Sequence, residues 1–222
     1  MSELSKLIDK MAKKQPKLFG DVINSATVKK VKIDSPQLSF LFSGGIPIGR
    51  MIRLRGPEQS GKSIICSYMA AQLQQKVPDF LGLPNKDKVI YVDFERTFEA
   101  RFASQVGIDT DPKKFIHLLA DDIETASDTL AELIKTDEVC AIIWDSDAAS
   151  PTRASFVDPS GKATFGGQAR AISDMLRKIN VLCANYLTTL FWVSQERVNM
   201  TPMAKLPACC VTPDTLIDII ES

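Results

Sequence analysis

The chain carries no net charge: its 27 lysines and arginines balance 27 aspartates and glutamates. Global attraction to nucleic acid is therefore excluded as an organising feature, and any such site must be local. No apolar run approaches the roughly 20 residues that a bilayer-spanning helix needs. The opening residues MSELSKLIDK contain no apolar signal core. From these two absences the expectation is a cytosolic protein with no membrane partner. The five cysteines, Cys66, Cys140, Cys183, Cys209 and Cys210, have no metal-ligand spacing. The first three sit in apolar helix or strand patterns and read as small buried hydrophobes. The composition of a disordered chain is also missing, since 45% of residues are hydrophobic and 24% charged. A length of 222 residues suits one sizeable α/β domain with small appendages.

What is present centres on Met51 to Ile65, MIRLRGPEQSGKSII. Gly56, Pro57, Glu58, Gln59, Ser60, Gly61, Lys62 and Ser63 form a complete G-x-x-x-x-G-K-[ST] phosphate-binding loop. The context fits. Met51–Arg55 reads as a short strand, and Ile64–Gln75 carries apolar residues at helical spacing. A strand, a glycine-bearing loop and a helix N-terminus together favour an anion, because backbone N–H groups converge there and the helix dipole adds to them. Lys62 is expected at the β- and γ-phosphates, and the Ser63 hydroxyl on Mg²⁺.

The remaining chain alternates strands and helices. Ser2–Lys14 reads as an amphipathic helix with Leu4, Leu7, Ile8 and Met11 on one stripe. That stripe can pack on its own domain or on a neighbouring subunit, and spacing leaves both open. Val28–Ile33 reads as an imperfect strand, and Phe42–Gly49 is rich in turn residues. Pro78–Asp87 reads as a break after the first long helix. Buried strands are expected at Val89–Asp93, Phe115–Leu119, Ala141–Asp145 and Thr188–Val193. Helices are expected at Phe98–Val106, Ile123–Lys135 and from about Gly167 to Tyr186, with Asp121 or Asp122 capping the second of these. This order predicts an α/β fold with a doubly wound, mostly parallel sheet. Ligands in such sheets sit at the C-terminal strand ends, where Gly56, Asp93, Asp145 and Gln195 fall.

Three polar residues at those ends carry candidate chemistry. Asp145 closes an apolar strand downstream of the phosphate loop, where a carboxylate can hold Mg²⁺ directly or through water. Glu95 is the best-placed carboxylate to activate or orient water, with ion pairing to Arg96 or Arg101 as the plainer alternative. Gln195 can hydrogen-bond a γ-phosphate and move when it leaves, or simply cap its loop.

The stretch LSFLFSGGIPIGRMIRLRGPEQSGKS (Leu38–Ser63) resembles the bacterial RecA recombinase family, in GGIPIGR followed by GPEQSGKS above all. The resemblance continues in order through VIYVDFERTFEARFASQVGID, AIIWDSDAASPTRA, FGGQARAISDMLRKI and LFWVSQER, and covers roughly residues 35–200. Phage relatives share these features. The resemblance implies a RecA-like P-loop NTPase core, an ATP-dependent DNA recombinase and repair protein, with ATP and Mg²⁺ as cofactors. It further implies filament formation on single-stranded DNA. By the same resemblance Glu95 is the water-activating glutamate, Phe102 the aromatic stacking on adenine (with Phe where Tyr is usual), and Glu99 lies near the adenine amino group. Gln195 would be the sensor opening the second DNA loop, preceded by Ser194 where Asn is usual. Ser150–Thr164 would be the first DNA loop, with Arg153 and Lys162 for phosphate contacts, and Arg197 would begin the second. Residues 1–34 would be a subunit-docking arm, giving a homo-oligomer.

After Gln195 the family continues through a glycine-rich DNA loop, further strands and a C-terminal lobe, whereas 27 residues follow here. The expectation is therefore a core over residues 35–200, truncated before its last strands, with a tail over 201–222. The tail segment Cys210-Val211-Thr212-Pro213-Asp214-Thr215-Leu216-Ile217 resembles the opening block of an intein. In that reading Cys210 is a splicing nucleophile attacking the carbonyl of Cys209. The chain would then be one part of a split or interrupted recombinase, needing a separate C-terminal half. The plainer alternative is an ordinary tail ending in a short strand or helix. A non-catalytic fragment, or another ATPase of the same core such as a helicase, are the competing functions. GGIPIGR and DFERTFE argue against the helicase.

Overall fold

A computed structural model describes residues 10–11, 28–154, 167–195 and 216–220. The chain divides into two compact units, Met1–Lys30 and Val31–Ser222. In the first, Lys10 and Met11 are helical; the rest of the expected Ser2–Lys14 helix lies outside the described residues. Of the expected strand at Val28–Ile33, the two-residue β1 (Lys30–Val31) forms.

In the second unit the chain runs α1 (Pro36–Leu41), β2 (Ile46–Pro47), β3 (Met51–Gly56), α2 (Lys62–Leu81), β4 (Lys88–Asp93), α3 (Ala100–Gln105) and β5 (Phe115–Leu119). It continues through α4 (Ile123–Lys135), β6 (Val139–Asp145), a 3₁₀ turn (Asp147–Ala149), α5 (Gly167–Tyr186), β7 (Thr189–Gln195) and β8 (Leu216–Ile220). The main sheet has the order β5-β4-β6-β7-β3-β8. Its first five strands are mutually parallel, and β8 lies antiparallel along β3. The fold is the expected α/β, mostly parallel sheet with helices on both faces.

Side-chain alternation explains why these strands read as unbroken apolar runs. Val89, Tyr91, Ile143, Phe191 and Val193 join the core on the α2 side. Ile90, Val92, Ile142, Trp144, Leu190 and Trp192 join the core on the α4 and α5 side. Both faces are covered, so neither parity can be polar. Full burial of one such aliphatic side chain contributes about 1.5–3 kcal/mol. Cys66, Cys140 and Cys183 are buried and unbridged, as the apolar patterns predicted. Burial pushes the Cys140 and Cys183 thiols up to about 12.

The helix after the phosphate loop outruns its expected end. It passes through Pro78 and stops at Gly82, whose φ of 68° is left-handed and suits glycine. The break expected at Pro78 fails because proline withholds a single N–H, close to the helix end. Upstream the helix is anchored firmly: Gln74 donates to the carbonyls of Asp109 and Lys114 and accepts from Asp109 N–H. Conversely, the expected helix at Phe98–Val106 contracts to Ala100–Gln105. Phe98 is drawn out of it by stacking on Phe115, with centroids 5.1 Å apart.

Asp122, one of the two expected caps, closes the N-terminus of α4 and accepts from Thr125 N at 2.6 Å and Thr125 Oγ1 at 2.8 Å. Burial works to raise its carboxyl, but these bonds and the Arg153 charge outweigh it and hold the group below its ordinary range. Because the folded value is lowered, the cap's contribution is complete above the ordinary carboxylate pKa of about 3.9 and is lost as pH falls through the folded value. Asp122→Ala is expected to cost about 1 kcal/mol at neutral pH. In thermal melts between neutral pH and about pH 3, the gap between the variant and the parent should close at the acid end.

Candidate functional site

Four adjacent strands deliver their C-terminal ends to one edge. Gly56 is in register with Gln195, and Asp93 with Asp145. Between them β6 pairs β7, Trp144 opposite Trp192. The predicted site residues at these ends are thus brought together by strand order alone.

The phosphate loop leaves β3 at Gly56 and enters α2 at Lys62. Gly61 caps that helix with φ of 82°, a left-handed conformation that a side chain would strain. Lys62 is buried to 5% exposure. Its ammonium donates to the carbonyls of Gly56 at 3.1 Å and Pro57 at 2.5 Å, and to Ser60 Oγ at 3.3 Å. A buried ammonium needs such partners, and these partners hold it inside the loop.

Ser63 Oγ donates to Asp145 Oδ2 at 2.5 Å. Tyr91 OH donates to the same oxygen at 2.7 Å. Burial, followed by the Asp145 charge, pushes the Tyr91 phenol far up, so it remains a donor. A hydroxyl and a carboxylate side by side are the oxygen set that suits a cation keeping several waters and phosphate ligands. No group of three or more His, Cys, Asp or Glu forms a metal cluster among the described residues. A Mg²⁺ ion held by Ser63 and Asp145 fits that donor chemistry better than a closed protein cage.

Glu95 does not pair with Arg96, whose guanidinium binds Asp121 at 2.9 Å. Instead Glu95 Oε1 accepts from Ser146 Oγ at 2.9 Å and from Gln195 Nε2 at 3.3 Å. The plainer ion-pair alternative with Arg96 therefore fails, and the water-activating candidate and the sensor candidate touch. The loop bearing Glu95 is fastened from below by Asp93, 1% exposed, which accepts from Thr97 N and Phe98 N at 3.3 and 3.1 Å. His117 Nε2 lies 3.0 Å from the same carboxylate.

A cavity of about 290 Å³ opens beside the loop, lined by Ser63, Ser67, Tyr91, Thr97, Phe98, Glu99, Phe102, Ala103 and Asp145. Glu99 and Phe102 thus share one cavity with the metal-candidate pair. Phe102 is 38% exposed, leaving a ring face for stacking. A larger cavity of about 400 Å³ lies between α4 and α5, lined by residues such as Glu124, Asp128, Arg170 and Lys178. It shares no residue with the strand-end cluster, and the chemistry there outweighs its size.

Arg153 is placed outside this cluster. It pairs with Asp122 at 3.8 Å and donates to Thr125 Oγ1 at 3.2 Å. Lys162, Arg197 and Cys210 lie outside the described residues. Leu216 and Ile217, read as part of an intein-like block, belong to β8 and pair with Arg55 and Leu54 of β3. A short strand here belongs to the intein-like reading and to the ordinary-tail reading alike.

Tyr91, Ser146 and Asp147 escaped the sequence reading. Ser146 and Asp147 did leave a signal, a polar Asp-Ser-Asp run directly after an apolar strand. Tyr91 left only one hydroxyl among the apolar neighbours Val89, Ile90 and Val92.

A mostly parallel α/β sheet with a G-x-x-x-x-G-K-S loop feeding a helix, and an acid ending the strand one place beyond the loop strand's parallel neighbour, fits a RecA-like P-loop core. The profile of the RecA N-terminal domain family matches residues 5–216, and the chain belongs to that family. It is 32% identical to Protein RecA of Mycoplasma mycoides over 154 residues, 69% of this chain and 41% of that protein. To Protein RecA 2 of Myxococcus xanthus it is 30% identical over 160 residues, 72% of this chain and 42% of the relative. To Protein RecA of Nostoc punctiforme it is 29% identical over 170 residues, 77% of this chain and 44% of the relative. The chain thus spans roughly two fifths of the length of these relatives. No helix among the described residues is long and apolar enough to cross a membrane.

Proposed function

We propose that this chain is the nucleotide-binding part of a RecA-like recombinase that binds ATP with Mg²⁺ and uses nucleotide state to set its grip on single-stranded DNA. The observation that carries this is the meeting of Glu95 and Gln195, 3.3 Å apart, at the strand ends that also bear the phosphate loop. A group suited to accepting a proton and an amide suited to reading a γ-phosphate are hydrogen-bonded to each other.

Lys62 and the loop amides hold the phosphates. Ser63 and Asp145 would hold Mg²⁺, which when bound neutralises charge on the β- and γ-phosphates. Tyr91, by donating to Asp145, keeps that carboxylate oriented toward Ser63. Phe102 and Glu99 bind the base. Glu95 takes the proton from attacking water, while Ser146 fixes its carboxylate. Gln195 then passes the state of the site to Arg197 and the second DNA loop, and Arg153 and Lys162 contribute from the first. Residues 1–34 dock on the neighbouring subunit of a filament, and a separate C-terminal half would complete the protein if the tail is an intein start. Cytoplasmic localisation belongs to the same reading.

The test is binding of a labelled single-stranded oligonucleotide to the chain, with Mg²⁺ and either a non-hydrolysable ATP analogue or ADP. Affinity with the analogue is expected to exceed that with ADP by at least about fivefold, the lower end of typical coupling. Equal affinity in both states would remove the nucleotide-switch reading.

A further inference from the structure

Asp147 takes no part in the nucleotide reading above, yet its carboxylate gathers groups from two strands. From β7, Ser194 Oγ donates at 2.6 Å, Trp192 Nε1 at 3.4 Å and the Gln195 backbone N–H at 3.3 Å. From β3, the Arg53 guanidinium lies 3.7 Å away and itself donates to Ser194 Oγ at 2.7 Å. The Asp147 side chain is only 17% exposed. Charge-assisted bonds of this kind are about twice as strong as neutral ones.

The other end of the residue faces a different part of the chain. The Asp147 carbonyl accepts from Gln168 Nε2 of α5 at 3.1 Å, and the same amide donates to the Ser150 carbonyl at 2.8 Å. Ser150 Oγ accepts from Trp144 Nε1 at 3.1 Å and donates to the Ser146 carbonyl at 2.7 Å. Asp147 therefore stands between two systems. One is the end of β7, where Gln195 reaches Glu95. The other is the turn at Asp147–Ser150 with Gln168; the turn leads into the span read as the first DNA loop, and Gln168 follows it in sequence.

We propose that Asp147 is a positioning residue that ties Gln195 to the Asp147–Ser150 turn and to Gln168, so that a shift of Gln195 with nucleotide state is carried to both. This rests on the nucleotide reading of the site. The physical reason is connectivity. The Gln195 side chain is bonded to Glu95 while its backbone N–H is bonded to Asp147, so moving one end loads the other. Coupling of this sort requires a contiguous network with two arrangements, and the polar chain from Glu95 through Gln195 and Asp147 to Gln168 is contiguous.

The chain supplies its own reporter. Its two tryptophans, Trp144 and Trp192, stack with centroids 5.1 Å apart. Their indole N–H groups donate to Ser150 and Asp147, the two ends of the turn. Tryptophan emission of the full chain is recorded with Mg²⁺ and a non-hydrolysable ATP analogue, and nucleotide affinity is measured separately by polarisation of a fluorescent ATP analogue. The parent should bind the nucleotide and change its emission. Asp147→Asn should keep nucleotide affinity within about twofold, roughly 0.4 kcal/mol, and lose the emission change. Ser194→Ala, which leaves the Arg53–Asp147 pair in place, should lose part of it and serves if the first variant does not fold. A parent that binds nucleotide with silent tryptophans, or an undiminished response in the variants, overturns the proposal. A parent that binds no nucleotide overturns the reading of the site itself, and the coupling falls with it. A purely structural Asp147 would lower the melting temperature of the variants and leave the nucleotide-induced emission change intact.

Discussion

Lys62→Ala is expected to weaken binding of a fluorescent ATP analogue, in the presence of Mg²⁺, by roughly two orders of magnitude. The Lys62 ammonium is buried and satisfied by the Gly56 and Pro57 carbonyls and by Ser60 Oγ, so it is positioned inside the loop by the loop's own backbone. Replacing it with alanine removes the one side-chain cation of the G-x-x-x-x-G-K-S loop and leaves phosphate oxygens facing backbone amides alone. Truncating one partner of a desolvated charged contact typically costs 2–5 kcal/mol. The fold should survive, since the packing of α2 rests on Cys66, Met69, Ala70, Leu73 and Val77 farther along the helix. The two carbonyls that lose a donor lie in the loop and can turn to water. Melting of the variant within a few degrees of the parent, with binding lost, is the expected pair of results. Unchanged binding would sink the assignment of the loop.

How much of this was legible in the sequence depends on where each residue finds its partners. α4 and α5 were readable because an apolar stripe at helical spacing is a local signal, and of the two candidate caps Asp122, with Thr125, completes a local cap. The phosphate loop was readable because its chemistry is contained in consecutive residues. Pro78 misled, since a proline in isolation ends a helix; here it withholds one N–H near the helix end, while Gln74 upstream is held by Asp109 and Lys114, far along the chain. Glu95 showed the same limit in reverse. Its neighbours Arg96 and Arg101 made a salt bridge plausible, but the loop turns Arg96 toward Asp121, and Glu95 meets Ser146 and Gln195 across the strand ends. Asp147 showed in the sequence only as part of a polar Asp-Ser-Asp run, and its role stayed hidden for the same reason. Each of its side-chain partners sits on β3 or β7, more than forty positions away in the chain. Polar residues whose meaning lies across a parallel sheet acquire it only when strand order is known.

The strand order also frames the prediction for Glu95→Gln. The substitution keeps the shape and one carbonyl oxygen, so Ser146 Oγ and Gln195 Nε2 retain an acceptor at the position of Oε1. What disappears is the ability to take a proton. General-base catalysis of this kind contributes about 10²- to 10⁴-fold to a rate, so hydrolysis in the presence of Mg²⁺ and single-stranded DNA should fall by that factor. Nucleotide affinity should change little, because Glu95 is absent from the lining of the cavity that holds Phe102, Glu99 and Ser63. Single-turnover hydrolysis and equilibrium nucleotide binding separate the two. A rate that falls together with affinity would mean that Glu95 shapes the pocket. An unchanged rate in a hydrolysing parent would mean that another group receives the proton, and the contact between Glu95 and Gln195 would then serve only to hold the sensor.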